Sequence, residues 1–127
     1  MQIKTNKKSA FTLVEIMIVV AIIGLLAAIA IPNFVKARES AQLNSIVNNL
    51  RIIEGAKDQW ALEQKKGTGD TPDWTTGTAG IADYLKGATV KNVVGETYTI
   101  NPVGTACTAL TPVKLGTYAA NSTISGS

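Results

Sequence analysis

The sequence contains no histidine and a single cysteine, Cys107. Without histidine, the chain cannot form a Ser-His-Asp or Cys-His arrangement for nucleophilic catalysis. One cysteine makes no disulfide within the chain and supplies no zinc site, so we expect Cys107 to be a small buried apolar residue. A disulfide between chains or a reactive thiol is the alternative. No Asp or Glu follows Glu96, and a calcium site needs carboxylates among its oxygen ligands. Asp70 and Asp73 are typical of turns, so the sequence supports no calcium site and we expect no cofactor.

The polar residues of the C-terminal part offer little catalytic chemistry. Asp83, Glu96 and Tyr98 are its acid–base candidates, and we interpret them as surface residues of a protein that is not an enzyme. A nucleic-acid surface would need exposed basic residues among aromatic ones. The candidates are Lys86 and Lys91 near Tyr84, which are too few, so nucleic acid is not an expected partner.

The formal charge of +3 belongs to the first ten residues. Three of the twelve basic side chains, Lys4, Lys7 and Lys8, lie there, which leaves nine basic against nine acidic side chains in the rest of the chain. A basic balance would ordinarily indicate anionic partners. Here it indicates only a basic N-terminal segment.

A long apolar run follows this segment. Residues Phe11 to Ile31 are apolar except for Thr12, Glu15 and Gly24. As a helix the run would be roughly 31 Å long, enough to cross the hydrocarbon core of a bilayer. Glu15 stands out, because a carboxylate in such a segment costs roughly 2.5–3.5 kcal/mol on insertion scales.

Beyond Pro32 the pattern becomes amphipathic. Apolar residues recur at spacings of three and four and predict a helix with one apolar stripe: Leu43, Ile46, Val47, Leu50, Ile53 and Trp60. We expect this helix to end near Lys65–Lys66, with Gly67 as its stop. If it continues through Pro32, it is too long for a domain of this size to cover.

The remaining residues predict a small β-rich part. The composition of residues 67–80 indicates a loop, residues 81–87 a short helix capped by Thr78, and the last residues a loose tail. Four strands are expected, the first two of them as a hairpin: residues 88–94, 97–103, 105–110 and 111–115.

The N-terminus allows three interpretations. A secretory signal peptide cut after Ala30 fits the basic start and the small residues Ala28 and Ala30. A plain membrane anchor fits the length of the run, with Lys7 and Lys8 placing that end in the cytoplasm. Neither interpretation explains Glu15, unless its carboxylate is protonated, is paired or snorkels toward the membrane face. The third places the cut before the apolar run.

The stretch KKSA-FTLVEIMIVVAIIGLLAAIAIP resembles the class III signal of type IV prepilins and of type II secretion pseudopilins. A short basic leader, a small residue at the cut, Phe-Thr-Leu-Val-Glu-Ile and an apolar stretch ending in Ile-Pro carry the likeness. It covers residues 7–36, and the long helix extends it to about residue 66. The family has glycine before the cut where this chain has Ala10, so we expect processing with lower efficiency.

The resemblance implies roles for single residues. A prepilin peptidase would cut between Ala10 and Phe11, and the new amino group of Phe11 would be methylated. In the filament, Glu15 of one subunit would neutralise that amine on a neighbour and so set the assembly register, with Thr12 adding a hydroxyl near the same place. Burying either charge alone would cost several kcal/mol.

Gly24 and Pro32 fit the resemblance in one further way. Filament subunits of this family unwind locally between such positions when they pack. The alternative interpretation is that Gly24 is a close-packing site and Pro32 a simple kink.

The resemblance also implies the architecture and the surroundings. We expect an α+β, pilin-like lollipop: a leader (residues 1–10), a hydrophobic transmembrane or filament-core helix (11–31), its amphipathic continuation (32–66) and a small antiparallel sheet (67–127). The expected location is the bacterial inner membrane, with the C-terminal part in the periplasm, and then a periplasmic or extracellular filament. Implied partners are copies of the chain, minor pilins or pseudopilins, the peptidase, the inner-membrane assembly platform and lipid.

Two functions compete within this architecture. One is the pseudopilin of a type II secretion system, which helps to export folded proteins. The other is a type IV pilin for adhesion, twitching or DNA uptake. The short mature chain and the lack of a second cysteine favour the pseudopilin, and a secreted protein with an ordinary signal peptide is the remote alternative.

Overall fold

The computed structural model describes residues 12–126. It confirms an α+β fold with one long N-terminal helix and a small antiparallel sheet. Contacts divide the chain into two units between Lys36 and Ala37. The elements in chain order are α1 (Leu13–Glu63), a 3-10 helix (Ala82–Tyr84), β1 (Thr97–Thr99), β2 (Thr108–Thr111) and β3 (Ser122–Ser125).

Helix α1 continues through Pro32. Proline has no N–H to donate to the carbonyl four residues earlier, and inside a helix this costs about 3 kcal/mol. The residues on both sides of Pro32 remain helical, so the rest of the hydrogen-bond ladder is kept. The helix therefore bridges the apolar run and the amphipathic stretch in one element.

The helix ends at Glu63, slightly before the predicted Lys65–Lys66. The N–H of Gln64 donates to the carbonyl of Trp60 (2.9 Å), and the N–H of Lys66 donates to the carbonyl of Ala61 (2.8 Å). Lys65, with φ of 54°, takes the left-handed conformation between them. This is a Schellman-type end, formed by a lysine where we expected Gly67 to act as the stop.

The core of the second unit confirms the predicted stripe. Ile46, Leu50, Ile53 and Trp60 are buried, and Leu43 and Val47 pack against them in part. The stripe contacts apolar residues from the loops and the sheet, among them Ile81, Leu115 and Ile124. The predicted burial of Cys107 is also confirmed, since its thiol is free and lies in this core.

The sheet has three strands in the order β1-β2-β3, and both pairs are antiparallel. In the second pair Ala109 lies opposite Ile124, and both side chains are fully buried. The tail predicted to be loose therefore forms strand β3. Its sequence Ser-Thr-Ile-Ser places one large apolar side chain on the inward face, which is enough to fix its register.

Two predicted strands are absent from the described residues. Residues 88–94 form no strand, and residues 111–115 contribute only Thr111 to β2 and a single bridge between Leu115 and Tyr118. In the first case the carboxylate of Glu96 accepts the N–H groups of Val93 and Val94, so those donors are not free for a sheet ladder. The expected hairpin is thus wrong, and β1 pairs with β2 instead.

The short helix lies within the predicted residues, as the 3-10 helix Ala82–Tyr84, but its N-cap is not the predicted residue. Its N-cap is Ile81, with no side-chain cap, so the expected capping by Thr78 is wrong. The carbonyl of Thr78 instead accepts the indole N–H of Trp60 at 3.0 Å. This bond ties the loop to helix α1.

Candidate functional site

The first unit presents an apolar helix surface that nothing else in the described residues covers. An 18-residue window of α1 near the N-terminus has a mean hydropathy of 2.9, and none of it is buried. Large aliphatic side chains from Leu13 to Val35 are all exposed. By length and composition, this part of α1 can cross a membrane.

The start of the helix is closed by a reciprocal pair of hydrogen bonds. The backbone N–H of Thr12 donates to Oε2 of Glu15 at 3.0 Å, and the N–H of Glu15 donates to Oγ1 of Thr12 at 3.2 Å. This is a capping box, which satisfies two N–H groups at the helix start. Glu15 therefore has a role within its own chain, and its second oxygen, Oε1, makes no hydrogen bond within residues 12–126.

The other predicted site residues lie in different places. Gly24 and Pro32 are both inside α1, and a Cβ at Gly24 would meet nothing within 4 Å. Gly24 thus has no close-packing neighbour within the described residues. Ala10 and Phe11, the predicted cleavage pair, lie outside the described residues.

A buried lysine links the helix to the loop before β2. Lys57 is fully buried, and its ammonium donates to the carbonyl of Thr105 at 2.6 Å, with a longer contact of 3.4 Å to that of Pro102. It also lies 2.8 Å from Oε1 of Glu54. The other oxygen of Glu54 accepts the N–H of Cys107. Burial raises the pKa of Glu54, but the hydrogen bonds from Lys57 and Cys107 outweigh it and leave this pKa below its usual value.

Glu96 is not the surface residue that the sequence suggested. It is buried, and its carboxylate accepts hydrogen bonds from the N–H groups of Val93 and Val94 and from the hydroxyl of Tyr98. These bonds compensate for the loss of water around the charge. Burial raises its pKa, but these donors prevail and hold the pKa of Glu96 below its usual value. Burial and the bond to Glu96 raise the pKa of Tyr98. The Tyr98 oxygen also accepts a hydrogen bond from Asn49 on helix α1, so the network joins sheet to helix.

The remaining candidates from the sequence are not brought together. Asp70 accepts the N–H of Gly67, and Asp83 accepts that of Gly77, so both stabilise turns. Tyr84 donates to Glu63. Among residues 12–126 there is no group of three or more His, Cys, Asp or Glu that could hold a metal ion.

Residues 5–31 match the family model of the prokaryotic N-terminal methylation motif. The matched range includes the capping box and the predicted cleavage pair. The N-terminal part of the chain is therefore similar to proteins that carry the type IV pilin and pseudopilin methylation motif.

Curated relatives from both branches of this superfamily are similar to the chain. A type II secretion system core protein G of Klebsiella pneumoniae is 37% identical over 61 residues, which are 48% of this chain and 44% of that protein. The type IV major pilin protein PilA of Myxococcus xanthus is 43% identical over 60 residues, covering 47% and 27%. The type IV major fimbrial protein FimA of Dichelobacter nodosus is 39% identical over 69 residues, covering 54% and 44%.

The matches cover only part of each relative. The chain spans less than half the length of each of the three relatives. None of the three names is that of an enzyme. No solved structure matches the chain at a significant level.

Sequence reasoning missed two features of this pilin-like chain that it could have found. The pattern Thr-x-x-Glu before an apolar run is itself the signature of a capping box. Lys57 lies four residues after Ile53 and three before Trp60, which places it on the buried stripe. A lysine at such a position indicates a buried ammonium with oxygen partners.

Proposed function

We propose that the chain is a structural subunit of a type IV pilus-like filament. One observation carries the proposal: the first part of α1 is apolar on all sides, and nothing in the described residues covers it. A helix that is apolar all round needs lipid or other apolar helices around it. Lipid surrounds it before assembly, and copies of the same helix, with minor pilins or pseudopilins, surround it in the filament.

Processing of the N-terminus is the first proposed step in the maturation of the subunit. Residues 1–10 are the leader, prepilin peptidase cuts between Ala10 and Phe11, and the Phe11 amine is methylated. The matched methylation motif supports this step. The processed chain is then anchored in the inner membrane by residues 11–31, with residues 32–66 and 67–127 in the periplasm. The assembly platform adds it to a filament from there.

Glu15 supplies the register of assembly in this proposal. Its Oε2 is engaged by Thr12 of the same chain, whereas Oε1 makes no hydrogen bond within the described residues. A carboxylate can accept several hydrogen bonds, so the capping box can persist while Oε1 receives the Phe11 amine of a neighbour. Gly24 and Pro32 are the proposed limits of local unwinding during packing.

Within the superfamily we favour a pseudopilin of a type II secretion system that helps to export folded proteins. The likeness to core protein G and the lack of a second cysteine support this choice. A type IV pilin for adhesion, twitching or DNA uptake is the alternative, supported by the likeness to PilA and FimA.

Two measurements test the proposal. Mass spectrometry of the protein from its native envelope should give a mature chain that starts at an N-methylated Phe11, whereas a chain starting at Ile31 would restore the ordinary signal peptide. A deletion strain should then lose secreted proteins from its culture supernatant while keeping twitching and DNA uptake. The reverse pattern would assign the chain to the pilins, and an intact phenotype in all three assays would contradict both assignments.

A further inference from the structure

Trp74 is exposed although it belongs to a fixed loop. Its side chain is 40% accessible. The loop is held by backbone hydrogen bonds on both sides of it: Asp73 donates to Ala79, Ile81 donates to Asp73, and Ala82 donates to Thr75, all at 2.9–3.0 Å. The indole is therefore presented by a well-bonded backbone and is not merely part of a loose loop.

Glycine at position 80 shows how tightly this loop is folded. A Cβ there would lie 2.0 Å from the carbonyl oxygen of Thr75. No real Cβ approaches an oxygen so closely, so only glycine fits, and the loop backbone has little freedom to move. The backbone that carries Trp74 is thus fixed before any partner arrives, which lowers the entropy that binding would cost.

Trp74 lines a cleft of about 220 Å³ in the second unit. Tyr98 also lines the cleft, and its hydroxyl is held by hydrogen bonds to Glu96 and Asn49. Exposed hydroxyl and amide side chains of Thr89, Asn92 and Thr97 complete the lining. The cleft therefore combines an aromatic surface with several neutral hydrogen-bonding groups.

Size and lining together select one class of ligand. The volume is below the roughly 300–1,000 Å³ of pockets for drug-sized molecules, and it is equal to that of about seven water molecules at ~30 Å³ each. A single sugar ring has this size, an apolar C–H face that stacks on an aromatic ring, and a rim of hydroxyls. The lining has no unpaired charged side chain, because the Glu96 carboxylate is already fully bonded.

We propose that this cleft binds one pyranose ring of a glycan, stacked on Trp74 and hydrogen-bonded by Thr89, Asn92 and Thr97. The proposal goes beyond the filament function and does not depend on it. A ligand of about twelve non-hydrogen atoms at the efficiency usual for small molecules binds with a dissociation constant of about 1–10 mM. Repetition along a filament would raise the effective affinity for a polysaccharide.

The test is ligand-detected saturation-transfer NMR on the full chain in an alkylphosphocholine detergent, since a glycoside detergent would compete. The probes are the methyl pyranosides of glucose, galactose, mannose and N-acetylglucosamine, and a capped tetraproline peptide. At least one pyranoside should give a saturable signal, strongest at protons of its apolar face. Trp74→Ala should weaken binding at least tenfold, Trp74→Phe less, and Thr97→Val several-fold.

Leu62→Ala is the matched control, because Leu62 is an exposed apolar residue outside the cleft. It should bind as the unmodified chain does, and circular dichroism should show that every variant is folded. Three results would each overturn the proposal: no pyranoside saturates, Trp74→Ala binds them unchanged, or only the tetraproline peptide binds. The last would make the cleft a peptide site, as aromatic grooves can be.

Discussion

The ammonium of Lys57 lies 2.8 Å from the carboxylate of Glu54, and the lysine side chain is completely buried. The pair does more than balance charge. Lys57 holds the loop carbonyl of Thr105, and Glu54 holds the N–H of Cys107 just before strand β2. One turn of helix α1 thus fixes both ends of the short segment that leads into the sheet.

Removing this ammonium should destabilise the second unit. Lys57→Met keeps the length of the side chain but leaves the carbonyl of Thr105 without its donor. We expect a loss of about 1–3 kcal/mol in the free energy of unfolding, measured by urea denaturation of the full chain in detergent micelles. Lys66→Met, at an exposed lysine, should change it by less than about 0.5 kcal/mol. Equal stability of the two variants would contradict the proposed role of Lys57.

Acid should weaken the fold through Glu96. Its pKa in the folded chain is held below its usual value, so its contribution to stability is complete above the unfolded value of about 4.3 and is lost as the pH falls through the lower folded value. The urea midpoint should therefore fall between about pH 5 and pH 3. Glu96→Gln should show a smaller fall. Tyr98→Phe should also show a smaller fall, because removing this donor brings the folded pKa of Glu96 closer to its unfolded value. An unchanged profile for Glu96→Gln would count against this assignment.

Variants at Glu15 and Thr12 separate charge from capping. Glu15→Ala loses both, and stranding the Phe11 amine of a neighbour should cost on the order of 3–5 kcal/mol per interface. Glu15→Gln keeps the capping bond but loses the charge. Thr12→Val keeps the charge and loses one capping bond, worth about 1 kcal/mol.

The measurement for these three variants is the ratio of sheared filaments to subunit in the inner membrane. We expect it to decrease in the order unmodified chain, Thr12→Val, Glu15→Gln, Glu15→Ala. Normal filaments from Glu15→Ala would refute the pairing with Phe11. A Thr12→Val ratio as low as that of Glu15→Ala would show that capping, not charge, governs assembly.

The contact between helix and sheet can be tested with one buried and one exposed leucine. Leu50 is 1% exposed and Leu62 is 80% exposed, and both lie in the second half of α1. Leu50→Asp puts an unpaired charge into the core and should cost several kcal/mol, whereas Leu62→Asp should be nearly neutral. Thermal unfolding followed by circular dichroism compares them, and coincident curves would disprove the assigned core.

The sequence predicted elements correctly where an apolar pattern repeats over many residues. It failed where a few hydrogen bonds decide whether a segment forms a strand or a turn. The stripe from Leu43 to Trp60 repeats often enough to predict both the helix and its buried face. The segment before β1 has apolar and β-branched residues typical of a strand, yet Glu96 takes its donors and makes a turn. Strand periodicity does not show that the nearby carboxylate of Glu96 will accept the N–H groups of Val93 and Val94.

The tail shows the opposite error. A short Ser- and Thr-rich stretch has weak signals, and its strand forms because β2 offers a partner edge and the core has room for Ile124. At the candidate site, the residues and the Thr-x-x-Glu motif were readable from the sequence. The bonding of the Glu15 oxygens depends on helix geometry and had to be seen in three dimensions.

The burial of one tryptophan and the exposure of the other give the protein two optical reporters. Trp60 is 2% exposed, with its indole N–H bonded to Thr78, whereas Trp74 faces solvent. Acrylamide should therefore quench the fluorescence of Trp74 first and reach Trp60 only when the loop leaves the helix. A variant with Phe at position 74 would report on Trp60 alone, and a variant with Phe at position 60 would report on Trp74 alone. Access to the surface cleft and the integrity of the core can thus be monitored separately.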